Sequence, residues 1–180
     1  MQFTPIQTER LSLRPCTASD IPALVPLIGA REVAVTTLRI PHPYSEADAR
    51  DFLQMAEDHL ASGRGLQLGI FLRDTGALCG GSGLTINQDH RRAELGYWIG
   101  HPYWGKGYAT EAAKALVDYG FLTLGLYRIF AGHFAGNTAS GNVLRKIGMR
   151  HEGTERGHIL KWGEFLDLEL YGMLASDLGG

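Results

Sequence analysis

The run Trp104-Gly105-Lys106-Gly107-Tyr108-Ala109-Thr110-Glu111 restricts this chain more than any other, because two glycines stand immediately before a long helical pattern. From Ala109 the apolar residues Ala112, Ala113, Leu116, Val117, Phe121 and Leu124 recur at intervals of three and four, so a helix of about four turns follows at once. Arg92 to Ile99, just upstream, reads as a strand. A strand, a glycine turn and a helix start in direct succession aim backbone N–H groups at one point and add the positive end of the helix dipole, which makes an anion site. Lys106 adds a full charge. The formal net charge of −2 gives no global attraction for nucleic acid or anionic lipid, so phosphate is held locally and neither nucleic acid nor membrane is expected as a partner.

Two common nucleotide motifs fit this turn badly. The dinucleotide fingerprint needs a third glycine where Thr110 stands, and a following strand that ends in an acidic ribose ligand. Gly100 to Lys106 has the spacing of a P-loop, but Gly107 occupies the place of the Ser or Thr that ligates magnesium. A P-loop nucleotidase stays as a third-ranked alternative.

The rest of the chain supplies alternating strands and helices. Leu11 and Leu13 alternate with Ser12 and Arg14, giving a first strand over Glu9 to Cys16. Thr17 with Asp20, and Ser45 with Asp48, read as capping boxes ahead of two helices, the second running to about Ala61. Leu66 to Leu72 and Leu78 to Ile86, separated by Arg73-Asp74-Thr75-Gly76, suit a hairpin. After the long helix come a strand at Tyr127 to Phe134, a helix at Asn137 to Ile147, and two strands at Met149 to Gly157 and Glu164 to Leu174 turning at Lys161-Trp162-Gly163. These predict one α/β domain over residues 1–180, with about seven strands, mostly antiparallel with a later parallel crossover, and about four helices. At 44% hydrophobic, 180 residues can build one core.

The glycine turn resembles the acetyl-CoA loop of the GNAT superfamily of N-acetyltransferases, with Gly107 and Ala109 on the family's small positions. Trp104 departs from the Gln or Arg that opens the family pattern. The whole run resembles the Trp-Gly-x-Gly-Tyr-Ala-Thr-Glu-Ala form of the ribosomal-protein alanine N-acetyltransferase branch. Similar blocks lie at Thr8 to Pro15, Ala93 to Ile99, Asn137 to Ser140 and Lys146 to Met149. The resemblance implies a sheet splayed at its fourth and fifth strands and acetyl-CoA as cosubstrate; the seven histidines show no close metal-ligand spacing, so no metal is expected. It implies cofactor contacts at Trp98, Ile99, Trp104, Gly105, Lys106, Gly107, Tyr108, Ala109 and Thr110. It also implies contacts at Asn137, on the pantetheine arm, and at Ser140, near the sulfur.

Acetyl transfer needs a deprotonated amine and a proton for the departing thiolate. Glu94, on the strand leading into the loop, is the expected base; the alternative is that it balances Arg91 and Arg92. Ser140 and Tyr171 are the candidate acids, against helix capping by Asn137 and core packing by Tyr171. Cys16 and Cys79 carry no sign of a partner base, so transfer is expected to be direct. The acceptor is expected to be a primary amine, either a protein N-terminus or a small molecule, contacting the first two helices and the last hairpin. A module that binds acetyl-CoA without transferring it is the alternative. With no signal peptide or membrane span in view, the expected setting is the cytoplasm, and the expected assembly a homodimer.

Overall fold

A computed structural model of the protein describes residues 3–178. The chain opens with a short strand β1 (Ile6–Gln7) and β2 (Leu11–Arg14), in which Leu11 and Leu13 are fully buried and their neighbours are not. The capping box of Thr17 and Asp20 starts a 3₁₀ turn that continues into α1 (Ile21–Ile28), followed by the single-turn α2 (Arg31–Ala34). Ser45 and Asp48 cap α3 (Glu46–Ser62) reciprocally, and Gly63 ends it in the left-handed conformation. Then follow β3 (Gly65–Leu72), β4 (Leu78–Asn87), β5 (Arg92–Ile99) and α4 (Tyr108–Leu122). The chain closes with β6 (Arg128–Phe134), α5 (Thr138–Lys146), β7 (Arg150–Lys161) and β8 (Glu164–Leu174).

The strands form one sheet in the order β1-β2-β3-β4-β5-β6-β8-β7. Every neighbouring pair is antiparallel except β5 and β6, which α4 connects in parallel. That pair is joined only over Arg92–Glu94 against Arg128–Phe130, and beyond Glu94 the two strands part. This is the expected splay of the fourth and fifth strands, counted without β1.

Hydrophobic side chains cover both faces. On one, Ala112, Ala113, Leu116 and Val117 of α4 pack with Leu84, Leu95 and Ile129. On the other, Ile21, Leu24 and Ile28 of α1 and Ala49 of α3 meet Phe71 and Leu78. Each fully buried Leu or Ile stabilises the fold by about 1.5–3 kcal/mol.

The structure adds three features to the expected outline. Among the described residues there are eight strands rather than seven, because Ile6 and Gln7 pair with Leu13 and Ser12, and α2 makes five helices rather than four. β7 runs on to Lys161 instead of ending at Gly157. Gly153 and Gly157, with φ of 153° and 58°, sit where its register with β8 shifts, so they bend the strand rather than break it. Among the described residues no helix is long and apolar enough to cross a membrane.

Candidate functional site

The glycine turn leads straight into α4. Gly105 and Gly107 have φ of 74° and 81°, a region that side chains with a Cβ rarely adopt, and Gly107 is the N-cap of the helix. A glycine cap has no side chain to satisfy the first-turn donors. The first α4 amide bonded back along the helix is that of Glu111, to the Gly107 carbonyl, so those of Tyr108, Ala109 and Thr110 are open to an anion. The exposed Lys106 ammonium lies 5.4 Å from the centre of the Tyr103 ring. Trp104 holds the turn from the other side: its indole Nε1 donates to the Ile99 carbonyl at 2.6 Å, and its ring stands edge-on to His101.

A clamp that sequence reasoning missed fixes this turn. Glu111, in the first turn of α4, accepts from Thr8 Oγ1 at 2.6 Å, from the Arg10 amide at 2.8 Å and from Arg10 Nε at 2.7 Å. Arg10 Nη1 donates to the Lys106 carbonyl at 2.9 Å, and its guanidinium lies over the Tyr108 ring. Burial pushes the Glu111 carboxyl up, but the hydrogen bonds from Thr8 and Arg10 outweigh it and hold the group below the ordinary glutamate range. Thr8 and Arg10 stood inside the Thr8 to Pro15 block, but nothing local tied them to residue 111.

From the cradle the gap between β5 and β6 leads into the sheet. Past Glu94 the β5 edge has no strand partner on that side, which leaves backbone groups for an amide-bearing chain such as pantetheine. Tyr97, on this free stretch, places its hydroxyl 2.7 Å from Ser140 Oγ and 3.1 Å from the Ser140 carbonyl. Burial pushes the Tyr97 hydroxyl up to about 12, so it keeps its proton. Asn137 caps α5, its side-chain oxygen accepting from the Ser140 amide at 3.2 Å. The capping role and the match to the Asn-x-x-Ser block therefore coexist. Tyr97 lies inside the Ala93 to Ile99 block, but its partner Ser140 is 43 positions away.

On the opposite face Glu94 and Trp98 border a cavity of about 600 Å³ beneath α1–α3, lined also by Tyr44, Phe52 and His59. Glu94 Oε2 accepts from Arg39 Nη2 at 2.7 Å; the Arg39 side chain is 70% exposed and that of Glu94 36%, so the pair is wet and readily rearranged. Tyr44 Oη and His59 Nδ1 are buried without a partner. Burial pushes the Tyr44 hydroxyl up to about 12. Arg91 and Arg92 are not the residues that pair with Glu94.

Tyr171 lies apart from this cavity. It is buried on β8, its hydroxyl accepts from Arg145 Nη1 at 2.7 Å, and it borders a second cavity with His133, Thr138 and Gly141. Cys16 and Cys79 are unpaired, and burial pushes their thiols up to about 11 and about 12. Among the described residues no group of three or more His, Cys, Asp or Glu is placed to hold a metal.

Comparison with known proteins agrees with this geometry. The family profile described as "Acetyltransferase (GNAT) domain" matches residues 10–150. The N-acetyltransferase p20 of Bacillus licheniformis, itself uncharacterised, is 33% identical over 177 residues, 97% of this chain and 98% of that one. The spermidine N(1)-acetyltransferase of Escherichia coli (strain K12) is 44% identical over 70 residues, 39% of this chain and 38% of that one. Among solved structures, a candidate ribosomal-protein-serine acetyltransferase from Vibrio cholerae superposes with a TM-score of 0.81 at 26% identity, covering 97% of this chain and 99% of that one.

Proposed function

The chain belongs to the GNAT acetyltransferase family, and on that premise we propose that it moves an acetyl group from acetyl-CoA to a primary amine by direct attack, as one domain over residues 1–180. The observation that carries this reading is the succession of a glycine-built anion cradle at the start of α4 and a sheet opening that runs from it to Glu94. The donor set fits the cosubstrate: open amides of Tyr108, Ala109 and Thr110 with Lys106 suit a pyrophosphate, and the free β5 edge with Asn137 suits the pantetheine arm. Acetyl-CoA supplies an activated thioester carbonyl. Trp98, Ile99, Trp104, Gly105 and Gly107 shape its channel.

Glu94 is the proposed base. An amine with a pKa of about 8 to 10 is mostly protonated at neutral pH, and a carboxylate at the cavity mouth removes that proton directly or through water. Arg39 holds Glu94 until a cationic amine competes for it. Ser140 takes the acid side. The Ser140 hydroxyl, 2.7 Å from that of Tyr97, is the group that bonds the departing sulfur in this reading. Tyr171, engaged by Arg145, supports the wall behind α5. The raised thiols of Cys16 and Cys79 leave neither ionised at neutral pH, which favours direct transfer over an acetyl-cysteine.

The acceptor we favour is a protein N-terminal α-amine, on the full-length likeness to the Vibrio cholerae structure. The spermidine acetyltransferase relative and the 600 Å³ cavity favour a second reading, a small polyamine. The proposed setting is the cytoplasm, with a homodimer as the assembly. Thermal shift with acetyl-CoA, CoA and magnesium ATP tests the cosubstrate, since a ligand stabilises only the state that binds it. Stabilisation by ATP and not by acetyl-CoA would overturn the reading. Thiol release with N-terminal peptides and with spermidine then separates the acceptors. Glu94→Gln is expected to slow transfer at neutral pH by about 100-fold with acetyl-CoA affinity unchanged.

A further inference from the structure

Five glycines share the face of the sheet that lies beneath α1–α3. Pairing sets Gly65, Thr85 and Glu94 in one row across β3, β4 and β5, then Gln67, Gly83 and Gly96, then Gly69, Gly81 and Trp98. Residues two apart on a strand share a face, so all of these positions are directed to the same side. Four of the glycines are buried under a neighbouring side chain. A Cβ on Gly65 would meet His59, on Gly69 Cys16 and Phe71, on Gly81 the Trp98 indole, and on Gly83 the Gln67 amide. Gly96 is exposed instead, and among the described residues a Cβ there would have nothing within 4 Å. Glycine in the interior of a strand weakens it and marks a place where something else comes close to the backbone. Gly96 borders the 600 Å³ cavity, two residues from Glu94.

Gln67 borders the same cavity. Its half-buried amide lies across Gly83 and makes no hydrogen bond among the described residues, so its donors and its carbonyl are available to a ligand. Gly83 stands directly across from Gly96 and one row from Glu94, and strand spacings then put the amide about 8 Å from the Glu94 backbone. That is roughly two residues of extended peptide. Among the described residues of β3, β4 and β5 that line the cavity, Glu94 is the one that carries a charge. From α3, the Asp48 carboxylate is engaged by the Ser45 amide and hydroxyl, and Asp51 is exposed. A chain lying along this floor therefore meets a carboxylate at one end and neutral groups beyond it.

We propose that Gly96 and Gln67 set the acceptor specificity of the transfer. The acceptor is an amine continued by neutral peptide groups. Its nitrogen stands at Glu94, its first residue lies on the bare backbone of Gly96, and its next peptide group bonds the Gln67 amide. The apolar walls Phe52, Met55 and Trp98 suit the first side chain. A polyamine would bring a second ammonium to the place where Gln67 offers an amide, and a neutral amide holds a cation less strongly than a carboxylate does. This specificity rests on the acetyl-CoA reading above and chooses between its two acceptors.

Steady-state thiol release from acetyl-CoA tests this, with tetrapeptides covering every first residue and with spermidine as acceptors. Gln67→Leu keeps most of the side-chain bulk and removes the amide. It should raise KM for the best peptide by about tenfold with kcat within about twofold, and leave any turnover of spermidine unchanged. Gly96→Ala should raise the peptide KM at least about tenfold, although its methyl touches nothing in the free protein. The same variant should bind CoA within about twofold of the unsubstituted protein by calorimetry and unfold at no lower temperature, so a damaged fold would not account for the change. A peptide KM within about twofold in either variant would overturn the part given to that residue. Turnover of spermidine but of no peptide, or CoA binding with no peptide turned over, would overturn the proposal and leave acetyl-CoA in place. Failure of the unsubstituted protein to bind CoA would instead overturn the acetyl-CoA reading, and this one with it.

Discussion

Glu111→Ala removes the carboxylate that ties the N-terminal segment to the cofactor turn, and its cost can be worked from the contacts. The Glu111 side chain is 17% exposed and that of Arg10 45%. The Arg10 head re-solvates when its partner goes, so the ion pair accounts for no more than about 1 kcal/mol. The Arg10 amide and the Thr8 hydroxyl lose a charged acceptor at about 1 kcal/mol each, although Thr8 Oγ1 retains the Leu11 carbonyl at 3.2 Å. The sum, about 2–3 kcal/mol, lowers the Tm of a chain this size by roughly 5–10 °C. Differential scanning calorimetry reads that shift, and isothermal titration should show several-fold weaker acetyl-CoA binding because the Lys106 carbonyl loses a rigid partner. The pH dependence carries a sign. The folded-state pKa of Glu111 is depressed, so its contribution is complete above the ordinary glutamate value and disappears as pH falls through the lower folded value. The Tm gap between the two proteins should therefore narrow between about pH 6 and pH 3. A Tm drop under about 1 °C with unchanged affinity would show that the clamp does not hold the turn.

Gly107→Ala should destabilise the fold by about 1–2 kcal/mol through the left-handed backbone alone. The new Cβ meets only Arg10 Nη2, at 3.4 Å; urea unfolding measures the loss, and equal stability would mean the turn can change its φ. Tyr97→Phe deletes the hydroxyl beside Ser140 and should lower kcat by about tenfold while KM for acetyl-CoA stays constant. Steady-state thiol release tests it, and an unchanged kcat would detach the Tyr97–Ser140 pair from the chemistry.

What could be read from sequence was what the chain decides locally. The capping boxes at Thr17 with Asp20 and Ser45 with Asp48, and the glycine turn before α4, each depend on residues within a few positions of one another. β1 escaped because two residues carry no periodicity, and it exists only through pairing with β2. Gly157 read as the end of a strand because the same residue type that ends a strand also permits a bulge. Within the site, the loop, Glu94 and the Asn137–Ser140 pair were legible as pattern. Arg10 and Tyr97 were not, since each acquires its meaning from a partner 101 or 43 positions away. Arg39 became a partner of Glu94 through a contact 55 positions long.

The parting of β5 and β6 has a mechanical side. Three residue pairs join a five-stranded plate to a three-stranded one, while β3 and β4 alone share seven pairs. The sheet is a pair of stiff panels on a short joint, with α4 packed across it as a brace. Whatever fills the opening between the panels stiffens the joint as well as occupying it. Amide hydrogen exchange along Leu95 to Ile99 and Ala131 to Phe134 would therefore report on the rigidity of the whole molecule, in a region where a local pocket would report only on itself.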